Sequence, residues 1–236
     1  MITVDFNRLA IRPGGRILDI GCGTGRHTSA AYLQPCVFAV GVDLGLAELS
    51  KAKTRLVLHD RLGEHGNGRW GLCAADTTRL PFKNNGFDLV ICSEVLEHIR
   101  DHRRAMTEIV RVLHPGGPLV VSVPRCWPEK ICWSISAAYR HTESGHVRIY
   151  RKGELIDLLT AAGLRLSSMH WAHSLHTPYW WLKCIVGLHR KDHPLVNLYH
   201  RFLIWDIMRQ PRITRFFDRL LNPLLGKSLV LYFTKN

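Results

Sequence analysis

The chain has 236 residues, 46% of them hydrophobic and 22% charged, which is typical of one globular domain and excludes a disordered or repetitive protein. Its net charge of +13 predicts a surface that attracts anions, namely phosphorylated or acidic molecules, nucleic acid or an anionic membrane. The seven scattered cysteines include no C-x-x-C pair, which argues against a disulfide framework and against a zinc site.

The first residues lack the pattern of a secretory signal peptide, in which a basic segment precedes an apolar one. The longest apolar runs also fall short of the roughly 20 residues that cross a bilayer. We therefore expect a soluble, cytoplasmic protein, with peripheral membrane contact left open by its positive charge.

Apolar runs typical of strands alternate with helical patterns, which predicts a parallel sheet with helices on both faces. Strands are expected at residues 16–20, 37–42, 70–75, 87–93, 119–123, 164–172 and 228–234. Helices are expected at residues 26–33, 47–58, 101–113 and 154–162, and a long loop over residues 124–151.

Residues 173–227 differ from the rest of the chain because they are rich in aromatic residues and contain nine Lys and Arg but three Asp. Their apolar spacing is helical, so we predict a helical insertion between the last two strands of a single domain, residues 1–236. Trp180, Trp181 and Trp205 suit a sugar face or a prenyl tail, or they form the small core of the insertion.

The motif that carries the chemistry is a glycine turn directly after the first strand, Gly21-x-Gly23-x-Gly25. Glycines permit a tight turn and let the backbone touch a ligand at the carboxyl end of the strand. A dinucleotide fingerprint reads G-x-G-x-x-G, but position 26 is Arg26. Asp19 would repel a pyrophosphate and attract an ammonium and a sulfonium, which favours S-adenosylmethionine over NAD.

Carboxylates also follow the next two strands. Asp43 can accept hydrogen bonds from both ribose hydroxyls of a nucleoside, and Asp76 from an adenine amino group. The alternatives are a solvated aspartate at a strand end for Asp43 and a helix cap or turn for Asp76.

Taken together, these motifs resemble the Rossmann-like (class I) S-adenosylmethionine-dependent methyltransferases, in the branch of the ubiquinone, menaquinone and other small-molecule methyltransferases. The resemblance covers roughly residues 12–163 and adds Phe87-Asp88, Glu94-Val-Leu-Glu97-His98 and Leu113-His-Pro-Gly-Gly117 in family order. It implies a doubly wound α/β fold with seven strands, the last one antiparallel. The cofactor-binding residues that we predict are Asp19, Gly21, Gly23, Gly25, Asp43, Leu44, Asp76, Thr77 and Ser93.

Methyl transfer is an in-line displacement at the methyl carbon of the sulfonium, so the enzyme contributes mainly the alignment of acceptor and methyl donor. A hydroxyl acceptor also needs a general base, and histidine is the usual base near neutral pH. The candidates, in order, are His146, His141, Glu94 and His98; alternatively, His146 only anchors its loop. Because no cluster of Asp and Asn follows Glu94, we expect no metal ion.

The acceptor is predicted to be a small molecule or glycan that is methylated on oxygen. One alternative is a prenylated quinone or other lipid, methylated at a membrane surface that the basic insertion contacts. Another is an RNA-binding protein that uses the same fold. Sequence-specific binding of nucleic acid is not expected, since the segment after the fourth strand, Cys92-Ser93-Glu94-Val95, lacks the Asn/Asp-Pro-Pro-Tyr pattern of base methylation.

Overall fold

The computed structural model describes residues 1–140, 146–190 and 192–236 of the chain. Seven strands form one sheet in the order β3-β2-β1-β4-β5-β7-β6. The strands are β1 (Arg16–Ile20), β2 (Phe38–Asp43), β3 (Arg69–Ala74), β4 (Leu89–Ser93), β5 (Pro118–Pro124), β6 (Leu164–Ala172) and β7 (Ser228–Lys235). Strands β1 to β5 pair in parallel, whereas β7 is antiparallel to both β5 and β6. The predicted doubly wound α/β fold is confirmed.

Helices cover the sheet and fill the segment between β6 and β7. The helices are α1 (Arg26–Tyr32), α2 (Leu46–Leu62), α3 (His102–Val112), α4 (Cys126–Ile135), α5 (Ala137–Arg140), α6 (Lys152–Ala161), α7 (His176–Val186), α8 (Pro194–Arg209) and α9 (Arg212–Leu225). Asp101 begins α3 by accepting a hydrogen bond from the backbone N–H of Arg104 at 3.1 Å. The predicted helical insertion therefore consists of α7, α8 and α9.

The central strands are buried on both faces, which explains their near-continuous apolar sequence. Leu18 and Ile20 of β1 pack into one hydrophobic cluster, while Ile17 packs into a second cluster across the sheet. Each fully buried side chain of this size contributes about 1.5–3 kcal/mol relative to an exposed one. The sheet is therefore a rigid base for the loops at its carboxyl edge.

Several boundaries differ from the predicted ones by one or more residues, and two of these differences have identifiable reasons. Helix α2 continues past its expected end at residue 58 until Gly63, whose φ of 66° lies in the left-handed region. The fourth strand begins at Leu89 because Phe87 makes only an isolated bridge to Leu113.

The prediction of a loop over residues 124–151 is wrong for its first half, which forms α4 and α5. Pro128 is the third residue of α4, in the first turn, where a backbone N–H has no helical partner. Its carbonyl accepts a hydrogen bond from Nε1 of Trp181 at 3.2 Å, so α7 packs directly on α4.

Helix α9 is attached to the domain through its polar face. Ser174 donates to Oδ1 of Asp218 from its hydroxyl at 2.8 Å and to Oδ1 of Asn222 from its backbone N–H at 3.0 Å. The apolar face of α9 points outward and consists of Ile213, Phe216, Phe217, Leu220 and Leu224, which are 47–67% exposed. None of the described helices is both long enough and apolar enough to cross a membrane.

Candidate active site

The glycine turn after β1 is left-handed at each of its three glycines, with φ values of 62°, 50° and 75° at Gly21, Gly23 and Gly25. A Cβ at Gly21 would lie 2.4 Å from Cγ2 of Val95, and one at Gly25 would lie 2.9 Å from Cβ of Ala52. A Cβ at Gly23 would meet no atom of the described residues within 4 Å. Gly21 and Gly25 therefore allow close packing, while Gly23 leaves open space beside the backbone.

Asp43, the last residue of β2, holds this turn. Its Oδ2 accepts a hydrogen bond from the backbone N–H of Gly23 at 2.8 Å, and its Oδ1 accepts one from Gly45 at 2.8 Å. A carboxylate has about four lone-pair positions, so both oxygens can accept further bonds from ribose hydroxyls. The next residue, Leu44, is 70% exposed at the same edge.

Asp19 lies behind the turn rather than beside the open space. Its side chain is 2% exposed, and its Oδ2 accepts a hydrogen bond from Oγ1 of Thr28 at 2.6 Å. Burial raises the pKa of Asp19 to about 7. In this position Asp19 can favour a cation only through its charge and not by direct contact.

Asp76 and Thr77 follow β3, next to the end of β2. Asp76 is exposed, and its Oδ1 accepts a hydrogen bond from the backbone N–H of Thr78 at 2.8 Å. This is the turn role that the sequence left open, and the other carboxylate oxygen remains available for an adenine amino group. Thr77 is buried.

A cleft of about 540 Å³ opens between the glycine turn and the helices α7 and α8. Its lining includes Gly21, Gly23, Ser93, Glu94, His173, His176, Tyr179, Trp180, His200, Ile204 and Lys227. This volume lies within the range of about 300–1,000 Å³ that is usual for ligand sites. A second cavity of about 570 Å³ lies at the opposite end of β1, near Gly15 and Asp88. Since ligands bind at the carboxyl ends of parallel strands, the first cleft is the candidate site.

The insertion contributes cleft residues that the sequence did not single out. Burial, followed by the charge of Lys227, lowers the pKa of His176 to about 4. Burial also holds the pKa of His173 well below its usual range. Both histidines are therefore neutral near pH 7. The only hint in the sequence was the density of histidines in a segment outside the family pattern.

Glu94 occupies a strained position at the end of β4. Its φ is 57°, which costs about 1–3 kcal/mol for a residue other than glycine and often marks a functional site. Its Oε1 accepts a hydrogen bond from Oγ of Ser122 at 3.1 Å, and the hydroxyls of Ser122 and Ser93 are 2.7 Å apart. These contacts hold Ser93 and Glu94 at the cleft wall.

His146 lies beside the loop that follows Glu94. Its Nδ1 is 2.6 Å from Oε1 of Glu129, and its ring centroid is 4.9 Å from that of His98. The structure thus brings three of the four predicted base candidates, Glu94, His98 and His146, into one region of the fold. The fourth, His141, lies outside the described residues.

Residues 18–121 match the family described as "Methyltransferase domain". An O-methyltransferase of Pyrenophora dematioidea is 33% identical over 117 residues, which cover 50% of this chain and 42% of that protein. A demethylmenaquinone methyltransferase of Renibacterium salmoninarum is 36% identical over 110 residues, which cover 47% of this chain and 41% of that protein. The chain spans less than half the length of these two curated relatives.

Solved structures agree with the fold. A putative methyltransferase from Bacillus halodurans C-125 superposes with a TM-score of 0.62 at 17% identity, covering 98% of this chain and 96% of that chain. The [4+2]-cyclase SpnF superposes with a TM-score of 0.61 at 21% identity, covering 98% of this chain and 78% of that chain. At such identities the likeness shows the fold alone.

Proposed function

We propose that the chain is an S-adenosylmethionine-dependent methyltransferase that methylates an oxygen atom of a small-molecule or glycan acceptor, since residues 18–121 match the methyltransferase-domain family. The observation that carries this proposal is the left-handed glycine turn, open at Gly23 and held by Asp43. This turn lies at the carboxyl end of β1, beside a cleft of ligand size.

The residues present fit S-adenosylmethionine, which supplies the methyl group when bound. The open side of Gly23 accommodates the methionine part, and Asp43 has lone pairs free for the ribose hydroxyls. Asp76 and Thr77 lie beyond β3 on the adenine side, and Ser93 lines the cleft. The ionised form of buried Asp19 would stabilise the positive charges of the cofactor.

The acceptor binds in the cleft, against the wall that α7 and α8 provide. Its hydroxyl must lose a proton as the oxygen attacks the methyl carbon. We propose that His146 is the base that accepts this proton. Glu129 accepts the hydrogen on Nδ1 of His146, which leaves Nε2 to receive the proton. Glu94 lines the cleft and orients the acceptor.

Two measurements test this function. Calorimetry should detect binding of S-adenosylhomocysteine to the purified chain, and radiolabelled S-adenosylmethionine should label an acceptor in fractionated metabolites or glycans. His146→Ala should then lower kcat for that acceptor about 100-fold or more. Binding of NAD in place of S-adenosylhomocysteine would overturn the proposal.

A second candidate acceptor is a lipid or prenylated quinone at an anionic membrane, and α9 favours it. This helix turns its polar face inward and its apolar face outward, the reverse of an ordinary surface helix. Arg212 and Arg219 of α9 are exposed, as are Arg201 and Arg209 of the preceding helix α8. Apolar side chains bordered by basic ones are the pattern of a helix that lies in the headgroup region of a bilayer.

We propose that this face binds an anionic phospholipid surface, since its basic border complements phosphate headgroups. The chain should sediment with vesicles that contain phosphatidylglycerol and should remain in solution with vesicles of phosphatidylcholine alone. Labelling of a quinone or lipid fraction would decide for this acceptor class. Self-association without vesicle binding would instead assign the face to a second copy of the chain.

A further inference from the structure

Three side chains close to Glu94, which itself lines the cleft, form a compact group of metal-ligand type. Glu97, His98 and His146 place one carboxylate oxygen and two ring nitrogens within 4.8 Å of one another. Two imidazoles and one carboxylate form a common ligand set for divalent first-row transition metals, with positions left open for a substrate. Glu97 and His98 follow β4, whereas His146 arrives from a distant part of the chain.

The surroundings of Glu97 indicate that its carboxylate lacks a binding partner. Its side chain is 1% exposed, and neither carboxylate oxygen has a hydrogen-bond partner among the described residues. A buried carboxylate that is neither paired nor hydrogen-bonded is costly, so such a group calls for an explanation. Glu94 makes the cost larger, because its negative charge also acts on Glu97 and, after burial, raises the pKa of Glu97. A bound cation would compensate both effects.

A second layer of contacts prepares His146 as a ligand. Its Nδ1 is 2.6 Å from Oε1 of Glu129, whose side chain is 3% exposed, and Tyr139 donates a hydrogen bond to Oε2 of the same carboxylate at 3.3 Å. Histidines that bind metals characteristically donate their other ring N–H to a carboxylate. This leaves Nε2 of His146 for the ion. His98 is exposed, so an ion can reach the group from solvent.

We propose that Glu97, His98 and His146 bind a divalent first-row transition-metal ion, with Glu129 orienting His146. Ligand atoms around such an ion lie about 3–3.5 Å apart, given metal–ligand distances near 2.1 Å. Small rotations of the exposed His98 side chain would bring the three atoms to this spacing. The two nitrogen ligands favour Mn²⁺, Co²⁺ or Zn²⁺ over Ca²⁺ and Mg²⁺, which prefer oxygen ligands.

The chemical role of the ion rests on the proposed methyl transfer, but the binding site does not. The ion would coordinate the acceptor hydroxyl and lower its pKa, so that the O–H bond breaks and the proton passes to water. The oxygen then forms a bond to the methyl carbon while the C–S bond breaks and its electron pair stays on sulfur. With the ion bound, His146 is a ligand and the metal replaces it as the group that activates the hydroxyl.

The test is calorimetry of the chelator-treated chain with MnCl₂ and ZnCl₂, in the absence of cofactor and acceptor. We expect one ion per chain. Glu97→Gln and His98→Ala should each weaken binding by more than about 100-fold, and Glu129→Gln should weaken it by about 10–100-fold. The control is Glu64→Gln, at an exposed glutamate 3.6 Å from His59, which should bind like the wild type.

Glu97→Gln should not lower the melting temperature of the metal-free chain, because the carboxyl group that it replaces is buried without a hydrogen-bond partner on another described residue. The wild type should melt at a higher temperature with MnCl₂, and the variant should not respond. Wild-type protein that binds neither ion, or a Glu97→Gln variant that binds as tightly, would overturn the site. Titration of the same samples with S-adenosylhomocysteine separates this failure from failure of the proposed function.

Discussion

The backbone N–H of Gly23 donates a hydrogen bond of 2.8 Å to Oδ2 of Asp43, so the end of β2 holds the middle of the glycine turn. The same carboxylate accepts the N–H of Gly45 through Oδ1 at 2.8 Å. Asp43 thus fixes the turn by itself. On the proposed function, the remaining lone pairs of its carboxylate would bind the ribose hydroxyls, so that one side chain would serve both preorganisation and binding.

Asp43→Ala should weaken binding of S-adenosylhomocysteine about 10–100-fold, since each hydrogen bond to a charged group contributes about 1.5–3 kcal/mol. Isothermal calorimetry gives the affinity directly. Asp157→Ala, at an exposed position on α6, is the control and should bind normally. Equal affinities of the two variants would remove Asp43 from the site.

Substitution of the glycines should separate packing from binding. Gly21→Ala should lose stability by about 1–2 kcal/mol for its left-handed backbone and about 1–3 kcal/mol more for its clash with Val95. Gly23→Ala should lose only the roughly 1–2 kcal/mol of stability that the left-handed backbone costs. It should also weaken the binding of S-adenosylhomocysteine, because its methyl group enters the open space. Urea denaturation and calorimetry measure the two effects.

Gly153→Ala is the matched control for these variants. A Cβ there meets no atom within 4 Å, and Gly153 lies in α6 with an ordinary backbone conformation. This change should raise stability by about 0.4–1 kcal/mol and leave ligand binding unchanged. A Gly23→Ala variant that binds as well as Gly153→Ala would contradict a role for Gly23.

Asp19 should make stability depend on pH. Because burial raises its pKa from 3.8 to about 7, the folded chain holds a proton that the unfolded chain releases between these values. The contribution of Asp19 to the free energy of unfolding therefore falls as pH rises from about 4 to about 7 and is constant above. The Asp19→Asn variant should lack this fall. Between pH 5 and pH 8, its free energy of unfolding should therefore rise by at least about 1 kcal/mol relative to that of the wild type. Urea titrations of both proteins at pH 5 and pH 8 test this, and parallel pH curves would count against it.

Helix α9 should tolerate changes on its outer face and resist changes on its inner face. Phe216→Ser should alter the free energy of unfolding by less than about 0.5 kcal/mol, because Phe216 is 62% exposed. Asp218→Ala should cost about 1–3 kcal/mol, since it removes the carboxylate that accepts hydrogen bonds from the Ser174 hydroxyl and from the backbone N–H of Leu175. If the outer face binds anionic vesicles, Phe216→Ser should reduce sedimentation with them while Asp157→Ala does not. A strongly destabilised Phe216→Ser variant would mean that the face is covered.

Local patterns predicted the sheet well. The first and sixth strands lie at their expected residues, and the first ends at a clear turn signal, Gly21. The glycine turn and the carboxylates after β2 and β3 were predictable because each of them lies within a few residues of the end of a strand. The helices α4 and α5 were missed because Pro128 resembles a helix breaker unless its place in the first turn is known.

The rest of the site depends on contacts between distant residues. His173 follows β6 and His200 lies on α8, yet both line the same cleft as the glycine turn, and no periodic pattern in the sequence encodes that proximity. The group of Glu97 and His146 is likewise assembled from segments far apart in the sequence. The helical apolar spacing of residues 173–227 predicted that the insertion is helical, but such spacing does not say which face of a helix such as α9 meets the domain.

The insertion leaves and rejoins the sheet at neighbouring positions, since Ala172 of β6 pairs directly with Ser228 of β7. A segment joined at these two residues can therefore differ in length and sequence without a change in the pairing of β6 and β7. On the proposed function, the sheet side of the cleft would hold the methyl donor and the insertion side would select the acceptor. Grafting the corresponding segment of a relative onto this core would test whether the acceptor range can be engineered separately from the methyl donor.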